Sequence, residues 1–381
     1  MKVKAFSASL IHTLEQKLEE LIDDDFSPNL AFVFASVDIG LEKVLEVLKK
    51  YPMLVFGAST CGEIFFDGNR ETEGIYNNSV AVSLVEMNRE HFDLKLFDGK
   101  GISSFDLGAK IGLWGKEIFD VPGFLVAVGG IGSNGQEIVE GIQKHTGRET
   151  PIFGGLAGDD SKFEQTFVFN SKKVMTHAAV AVVFDTKKIN MKGLATSGWV
   201  GIGSDKTVTK AKGNIVYTID DEPALKVYKD HLNIRDKDLP EIGVEYPLMI
   251  KKDGKEILRA VNGVNREEQS LVFAGTVPEG STVTFSTSPG FEVVDHTKAD
   301  ISDFFDRYGS GSLLILFSCM ARHKALGPII IEEILTAFEK AKAPITGFFT
   351  LGEIGMMADK SCEFFNETFT LVVISEKNIK D

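Results

Sequence analysis

Two turns in this chain carry the same eight-position pattern, G-x-x-T-x-G-E-I, at residues 57–64 and 347–354. A glutamate and a threonine hydroxyl at a turn after an apolar strand offer paired hydrogen-bond acceptors, which suit an ammonium group. Arg322, just past another apolar strand, supplies the planar fork that binds a carboxylate. Gathered in one pocket, these groups would hold a small zwitterion such as an amino acid. The competing reading is that Glu63 and Glu353 brace their own turns by accepting from backbone N–H groups. Neither reading contains a proton-transfer pair, so no catalysis follows from these turns.

Other constellations are weaker. The first turn has the Gly-x4-Gly spacing of a phosphate loop, but Glu63-Ile64 and Glu353-Ile354 replace its Lys-Ser/Thr. A carboxylate there opposes phosphate. Gly130-Ile-Gly132-Ser-Asn-Gly135 satisfies G-x-G-x-x-G, yet the following strand at 151–153 runs into Gly154-Gly155 without an acid to hold a ribose. A tight strand-to-helix loop explains it better than a dinucleotide site. Cys319 and His323 are spaced by four, which permits a thiol–imidazole pair and hence a Cys-dependent hydrolase; no oxyanion signature accompanies them, and a buried structural thiol is the plainer account. The seven histidines show no H-E-x-x-H, C-x-x-C-H or H-x3-H spacing. A haem held by one axial histidine leaves no local signature, so sequence neither supports nor excludes it, and no cofactor is predicted.

The elements that position these residues repeat. Residues 31–35 form a short apolar strand, 41–50 an amphipathic helix, 52–56 a proline-led strand, and then the first turn follows. The same order recurs at 124–128, 136–144, 151–153 and the turn 154–159, which ends on Asp159. It recurs again at 313–317, 330–342, 344–346 and the turn 347–353. Apolar strands joined by one-sided helices read as βαβ-like crossovers, and the shared turn pattern reads as an internal duplication. A helix over about 9–22 precedes the first copy, and residues 178–286 are strand-rich, with pairs at 178–184 and 191–199 and at 271–276 and 281–286. The expected fold is therefore mixed α/β (α+β): two duplicated α/β halves of βαβ-like units with a strand-rich middle section. Asp220-Asp-Glu-Pro-Ala-Leu carries a helix-start signal, which suggests a boundary near 220. The expected parts are an N-terminal helix over 1–27, one domain over 28–220 and a second over 221–375.

Composition bounds the function. The chain has 381 residues, 43% apolar and 25% charged, enough for two or three cores and too ordered in composition for disorder. Forty-one Lys and Arg against 55 Asp and Glu give a net charge of −14, which repels nucleic acid and anionic membranes. No apolar run reaches 18 residues and no signal peptide is visible; three scattered cysteines suggest no disulfide framework. A soluble, cytoplasmic protein is expected. The 29 Phe against 6 Tyr and 2 Trp point to a phenylalanine-packed core rather than an aromatic cofactor box.

Residues 57–64, 154–160, 217–225, 318–333 and 347–354 resemble the landmarks of the FIST family, named for F-box and intracellular signal transduction. Pro247-Leu248, Arg259-Ala-Val, Glu279-Gly280 and Phe364-Phe-Asn-Glu-Thr368 continue the resemblance, which spans about 28–375 in order, through N-terminal FIST and C-terminal FIST_C portions. The resemblance implies a bacterial-type sensory module that binds a small ligand, amino acids among the suggestions, and signals through a histidine kinase, chemoreceptor or cyclic-di-nucleotide enzyme. Some stand-alone members are haem-binding nitric-oxide sensors that regulate a kinase. Phe365 stands where family members often carry a histidine, so that position transfers no role. The leading expectation is a non-enzymatic sensor, free of nucleic acid and membrane, with Ser59, Thr60, Gly62, Glu63, Asp159, Cys319, Arg322, Thr350, Gly352 and Glu353 as candidate ligand contacts.

Overall fold

A computed structural model describes residues 1–377 except 70, 240, 253, 254, 358 and 359. Its architecture follows from one unit used three times: strand, helix, strand, helix, strand, two short arm strands, strand. In the first unit the long strands are Lys2–Ala8, Leu30–Ala35, Leu54–Ser59 and Val80–Glu86, with helices Ile11–Leu21 and Leu41–Leu48. The second uses Phe92–Asp98, Pro122–Gly129, Ile152–Leu156 and Ala178–Asp185, with helices Ser104–Ile118 and Gly135–Thr146. The third uses Ile189–Thr196, Leu313–Cys319, Ile345–Thr350 and Phe369–Glu376, with helices Phe291–Tyr308 and Ile331–Ala341. The middle copy seen in the sequence thus completes a set of three, and the fold is mixed α/β as its strand–helix alternation predicts. Within each unit the second and third strands are parallel, as their crossover helix requires, and the last strand returns antiparallel between the first and second.

The units are stitched together by their arms. Each sheet has six strands, and the last two of each come from another unit. Glu63–Phe66 and Gly74–Tyr76 of the first unit extend the third unit's sheet beside Ile345–Thr350. Glu353–Met356 and Cys362–Phe365 of the third extend the second unit's sheet, and Val168–Phe169 with Val174–Met175 of the second extend the first's. The exchange closes a ring.

Phenylalanine fills the centre, as the composition suggests. Phe32, Phe34, Phe56, Phe153, Phe184, Phe317 and Phe348, drawn from all three units, belong to one buried cluster; Phe34 lies 4.8 Å from Phe348 and 6.3 Å from Phe317 between ring centroids. Three further clusters lie under the helices of the three units. The glycine that opens each turn has a steric reason in this packing. A Cβ on Gly154 would meet the Val126 carbonyl oxygen at 1.8 Å, and one on Gly347 would meet that of Leu316 at 2.1 Å.

The third unit departs from the other two at one place. Where they pass directly from first strand to first helix, the third inserts a separate antiparallel sheet, Val200–Lys212 through Thr282–Thr287, with the helix Ala224–Leu232 and its own core. The strand-rich middle of the sequence is this insertion together with its flanking strands. The junction expected near 220 falls in the tight turn between Ile215–Ile219 and Glu222–Pro223, inside that sheet. Asp220 and Asp221 there have left-handed backbones, the conformation short polar side chains tolerate. No helix among the described residues is long and apolar enough to cross a membrane.

Candidate ligand site

The three turns meet. Cys61 N–H donates to the Phe349 carbonyl at 2.8 Å and Phe349 N–H to that of Gly62 at 2.9 Å. Leu351 N–H reaches Leu156 O at 3.1 Å and Leu156 N–H reaches Gly352 O at 2.8 Å. Gly158 N–H donates to Ser59 O at 2.9 Å and Asp160 N–H to Thr60 O at 2.8 Å. Two bonds at each contact lock the tips into a closed triangle.

The converging side chains are buried and already paired. Glu63 is wholly buried; Thr60 Oγ1 donates to one carboxyl oxygen, and Ser79 N–H (3.0 Å) and Oγ (2.6 Å) donate to the other. Glu353 repeats the arrangement with Thr350 Oγ1 on one oxygen and Thr368 Oγ at 2.7 Å on the other. Burial pushes Glu63 up to about 7 and Glu353 to about 8, against the downward pull of these same hydrogen bonds. Ser59 Oγ donates to the Gly158 carbonyl at 2.5 Å and accepts from Phe167 N–H at 2.8 Å. Asp159 accepts from the N–H groups of Phe163, Glu164 and Gln165 and so folds its own loop. Gly62 and Gly352, both at positive φ, carry the chain through the two turns.

Arg322 is no free clamp either. It is fully buried, forks onto Glu333, and donates to Ser197 O (2.5 Å), Glu367 O (3.2 Å) and Thr297 Oγ1 (2.6 Å). The residues expected to grip a zwitterion therefore hold one another, because each polar atom taken into this dry core needs a fixed partner.

The alternative chemistries meet similar obstacles. Cys319 is buried, and desolvation first, then the charges of Glu353 and Glu367, push its thiol well above the ordinary value, which opposes a nucleophilic thiolate. His323 stacks on Phe349 with centroids 4.1 Å apart. At the Gly130–Gly135 loop, the Asn134 side chain accepts from Gln136 and Glu137 N–H and so occupies the helix N-terminus that a pyrophosphate would need. Neither the cleft of about 640 Å³ nor that of about 390 Å³ has a histidine in its wall, so these clefts do not fit a haem. Among the described residues no group of three His, Cys, Asp or Glu side chains gathers as a metal site would require.

Several buried polar atoms lack a partner among the described residues, Asp160 Oδ1, Ser318 Oγ and Thr370 Oγ1 among them, and Glu367 is the one carboxyl group with both oxygens unpaired. Glu367 is completely buried, and neither carboxyl oxygen has a hydrogen bond among the described residues. Burial raises its carboxyl well above the ordinary range, with Glu353 adding to the effect and Arg322 opposing it. The three-fold repeat explains how it came to be buried. Its backbone is left-handed, at φ 55°, just before the last strand of its unit; Asn78 (φ 58°) and His177 (φ 45°) hold the equivalent corner in the other two units, and both are exposed. Only the third corner is covered, and the inserted sheet covers it. Ala260 N–H donates to Asn366 Oδ1 at 3.2 Å, and Arg259 donates to the Phe364 carbonyl at 2.8 Å. Glu245, on a helix of the insertion, adds a second negative charge felt by Glu367. The Trp199 ring lies 5.3 Å from the Arg322 guanidinium carbon, and its buried Nε1 also lacks a partner among the described residues.

Family comparison agrees with the resemblance carried by the turns. The FIST N domain matches residues 29–222 and the FIST C domain matches residues 224–356. The chain belongs to the FIST family. Members are associated with sensory and signal-transduction roles. A comparison with curated proteins returned no match. The matched residues of this FIST protein end at 356, before Glu367, which lies in the Phe364–Thr368 stretch that continues the resemblance in sequence.

Proposed function

We propose that this FIST protein is the ligand-sensing member of a signalling pair, taking a small polar ligand between the third corner and the inserted sheet. The single observation that supports the reading is Glu367: burying a carboxyl group with both oxygens unpaired costs several kcal/mol, so a ligand that donates hydrogen bonds there is strongly favoured. An ammonium head, such as that of an amino acid, meets the need. Occupancy changes how the insertion sits on Asn366 and Phe364, and a separate histidine kinase, chemoreceptor or cyclic-di-nucleotide enzyme reads that change. A ligand shifts such an equilibrium only by its differential affinity for the two states.

Burial opposes ionisation of the Glu367 carboxyl, so an ammonium ligand that restores its charge displaces a proton. Affinity therefore strengthens as pH rises, by at most about tenfold per pH unit. The test is thermal shift with amino acids and simple amines up to about 10 mM, at three pH values. One compound at ten times its Kd stabilises by about 1.4 kcal/mol, and Glu367→Gln abolishes the response. No stabilisation by any compound, or an equal response in Glu367→Gln, defeats the reading.

A further inference from the structure

The strand Ile189–Thr196 lies at the edge of the third unit's sheet. It pairs antiparallel with Phe369–Glu376 on one side, and among the described residues no strand pairs with its other side. The cleft of about 640 Å³ lies along it and touches every residue from Ile189 to Ala195. Side chains alternate between the faces of a strand, so a cleft on one face would touch alternate residues; one that touches all seven follows the edge itself. Phe304 and Tyr308 of the helix Phe291–Tyr308 wall one side, and Val121 and Pro151 of the second unit wall the other.

Charge is sorted along part of this groove: Glu149 and Lys360 also line it, and the sorting rests on the helix Phe291–Tyr308, on Lys192 and on Lys377. The helix runs against the strand: Thr196 Oγ1 donates to Asp300 at 2.5 Å, whereas Lys192 Nζ lies over the Tyr308 ring at 5.5 Å. Asp300 and Asp303 consequently sit toward the strand's C-terminal end, and Lys192, Arg307 and Lys377 toward its N-terminal end, where Lys377 N–H donates to the Lys188 carbonyl at 2.7 Å. A bare edge strand invites aggregation, and proteins protect such edges with charges or cover. Here walls rise on both sides of the edge.

We propose that this edge accepts an extended peptide of a partner protein as an additional antiparallel strand, with a basic residue near the peptide's N-terminus and an acidic residue near its C-terminus. The antiparallel ladder is the more stable pairing per residue, and it sets the peptide's basic end against Asp300 and Asp303. The strand has eight residues, so at about 3.3 Å each the ladder extends about 26 Å. Leu194 and Phe304 supply the apolar contacts. A second copy of this chain would present an equally recessed edge, which cannot reach between the walls. The inference is independent of any ligand at Glu367.

The test uses two end-blocked, fluorescent threonine–valine heptapeptides of one composition, lysine-first and glutamate-last in one and reversed in the other. Binding is read by anisotropy, and amide exchange locates it. The lysine-first peptide should bind about threefold to tenfold tighter, the range expected for two rim charge pairs, and slow exchange over residues 189–196. Asp303 and Arg307 are exposed, so Asp303→Lys with Arg307→Glu leaves the core intact and should invert the preference. Equal affinities, no binding of either peptide at 1 mM, protection elsewhere, an uninverted preference, or concentration-dependent protection of the strand without peptide each overturns the proposal.

Discussion

Glu63→Gln tests whether the ring of turns is braced by a proton. The Glu63 carboxyl stands at about 7 in the folded protein against an ordinary 4.5, with desolvation the largest cause. The folded state thus holds this proton more tightly than the unfolded chain does. Its contribution is complete below about pH 4.5 and is lost as pH rises through about 7, so stability falls across that window. Raising a carboxyl from 4.5 to about 7 corresponds to about 3 kcal/mol. Glutamine mimics the protonated acid: its oxygen can take the Ser79 N–H and its amide can donate to Thr60. It forfeits at most about 1 kcal/mol of hydrogen-bond quality at pH 5. The two proteins should therefore cross, the variant slightly weaker at pH 5 and about 2–3 kcal/mol more stable at pH 8. Urea unfolding of both at pH 5, 6, 7 and 8 measures the difference, and Glu353, raised to about 8, is common to both and cancels. A difference that stays constant with pH refutes the reasoning.

Three perturbations follow from the same geometry. Arg322→Met strands the buried Glu333 carboxylate and should cost about 3–5 kcal/mol in urea unfolding; a loss under about 1 kcal/mol means the pair is not sealed as described. Gly347→Ala drives a Cβ into the Leu316 carbonyl and should cost about 3 kcal/mol or more, whereas Gly201→Ala, whose Cβ would first meet Thr284 at 3.4 Å, should be near neutral. Equal losses in the two would sink the steric account. Glu367→Gln without ligand should flatten the fall of stability as pH rises above the ordinary carboxyl range, because it removes a carboxyl that resists ionisation; an unchanged slope counts against the burial of that side chain.

Much of this was legible locally. The proline-led strands, the crossover helices and the repeated glycine turns each depend on neighbours in sequence, and the phenylalanine count anticipated the core. The arm exchange was not legible, because Glu63–Phe66 reads as a strand without naming its partner, which lies some 280 positions away at Ile345–Thr350. The bracing hydroxyls were missed although a cue existed: Ser79 and Thr368 each precede the last strand of their unit, 16 and 15 residues after the glutamates they serve. The burial of Glu367 had no cue at all. A glutamate in a polar turn reads as solvated, and only the placement of a sheet inserted about a hundred residues earlier takes it out of water.

The middle unit bears on the two readings of the turns. The first unit has Thr60, Glu63 and Ser79; the third has Thr350, Glu353 and Thr368. The corresponding places in the second hold Ala157, Asp160 and Ala178, so both hydroxyls are absent there and the acid is one methylene shorter. Asp160 instead turns to Ser36, accepting from its Oγ at 2.8 Å and from Val37 N–H at 3.1 Å. Residues that come and go as a set are partners of each other, since a lone glutamate in that core would be an uncompensated charge and a lone hydroxyl an unpaired donor. Ligand-binding residues would have no reason to vanish together with Ser79 or Thr368, which lie just ahead of a different strand. What the symmetric ring needs, it satisfies internally. The covered Glu367 and the groove beside Ile189–Thr196 both flank the inserted sheet, one beneath it and one on the strand that leads into it. Under the two proposals made above, the insertion is the element that adjoins both the ligand's place and the partner's.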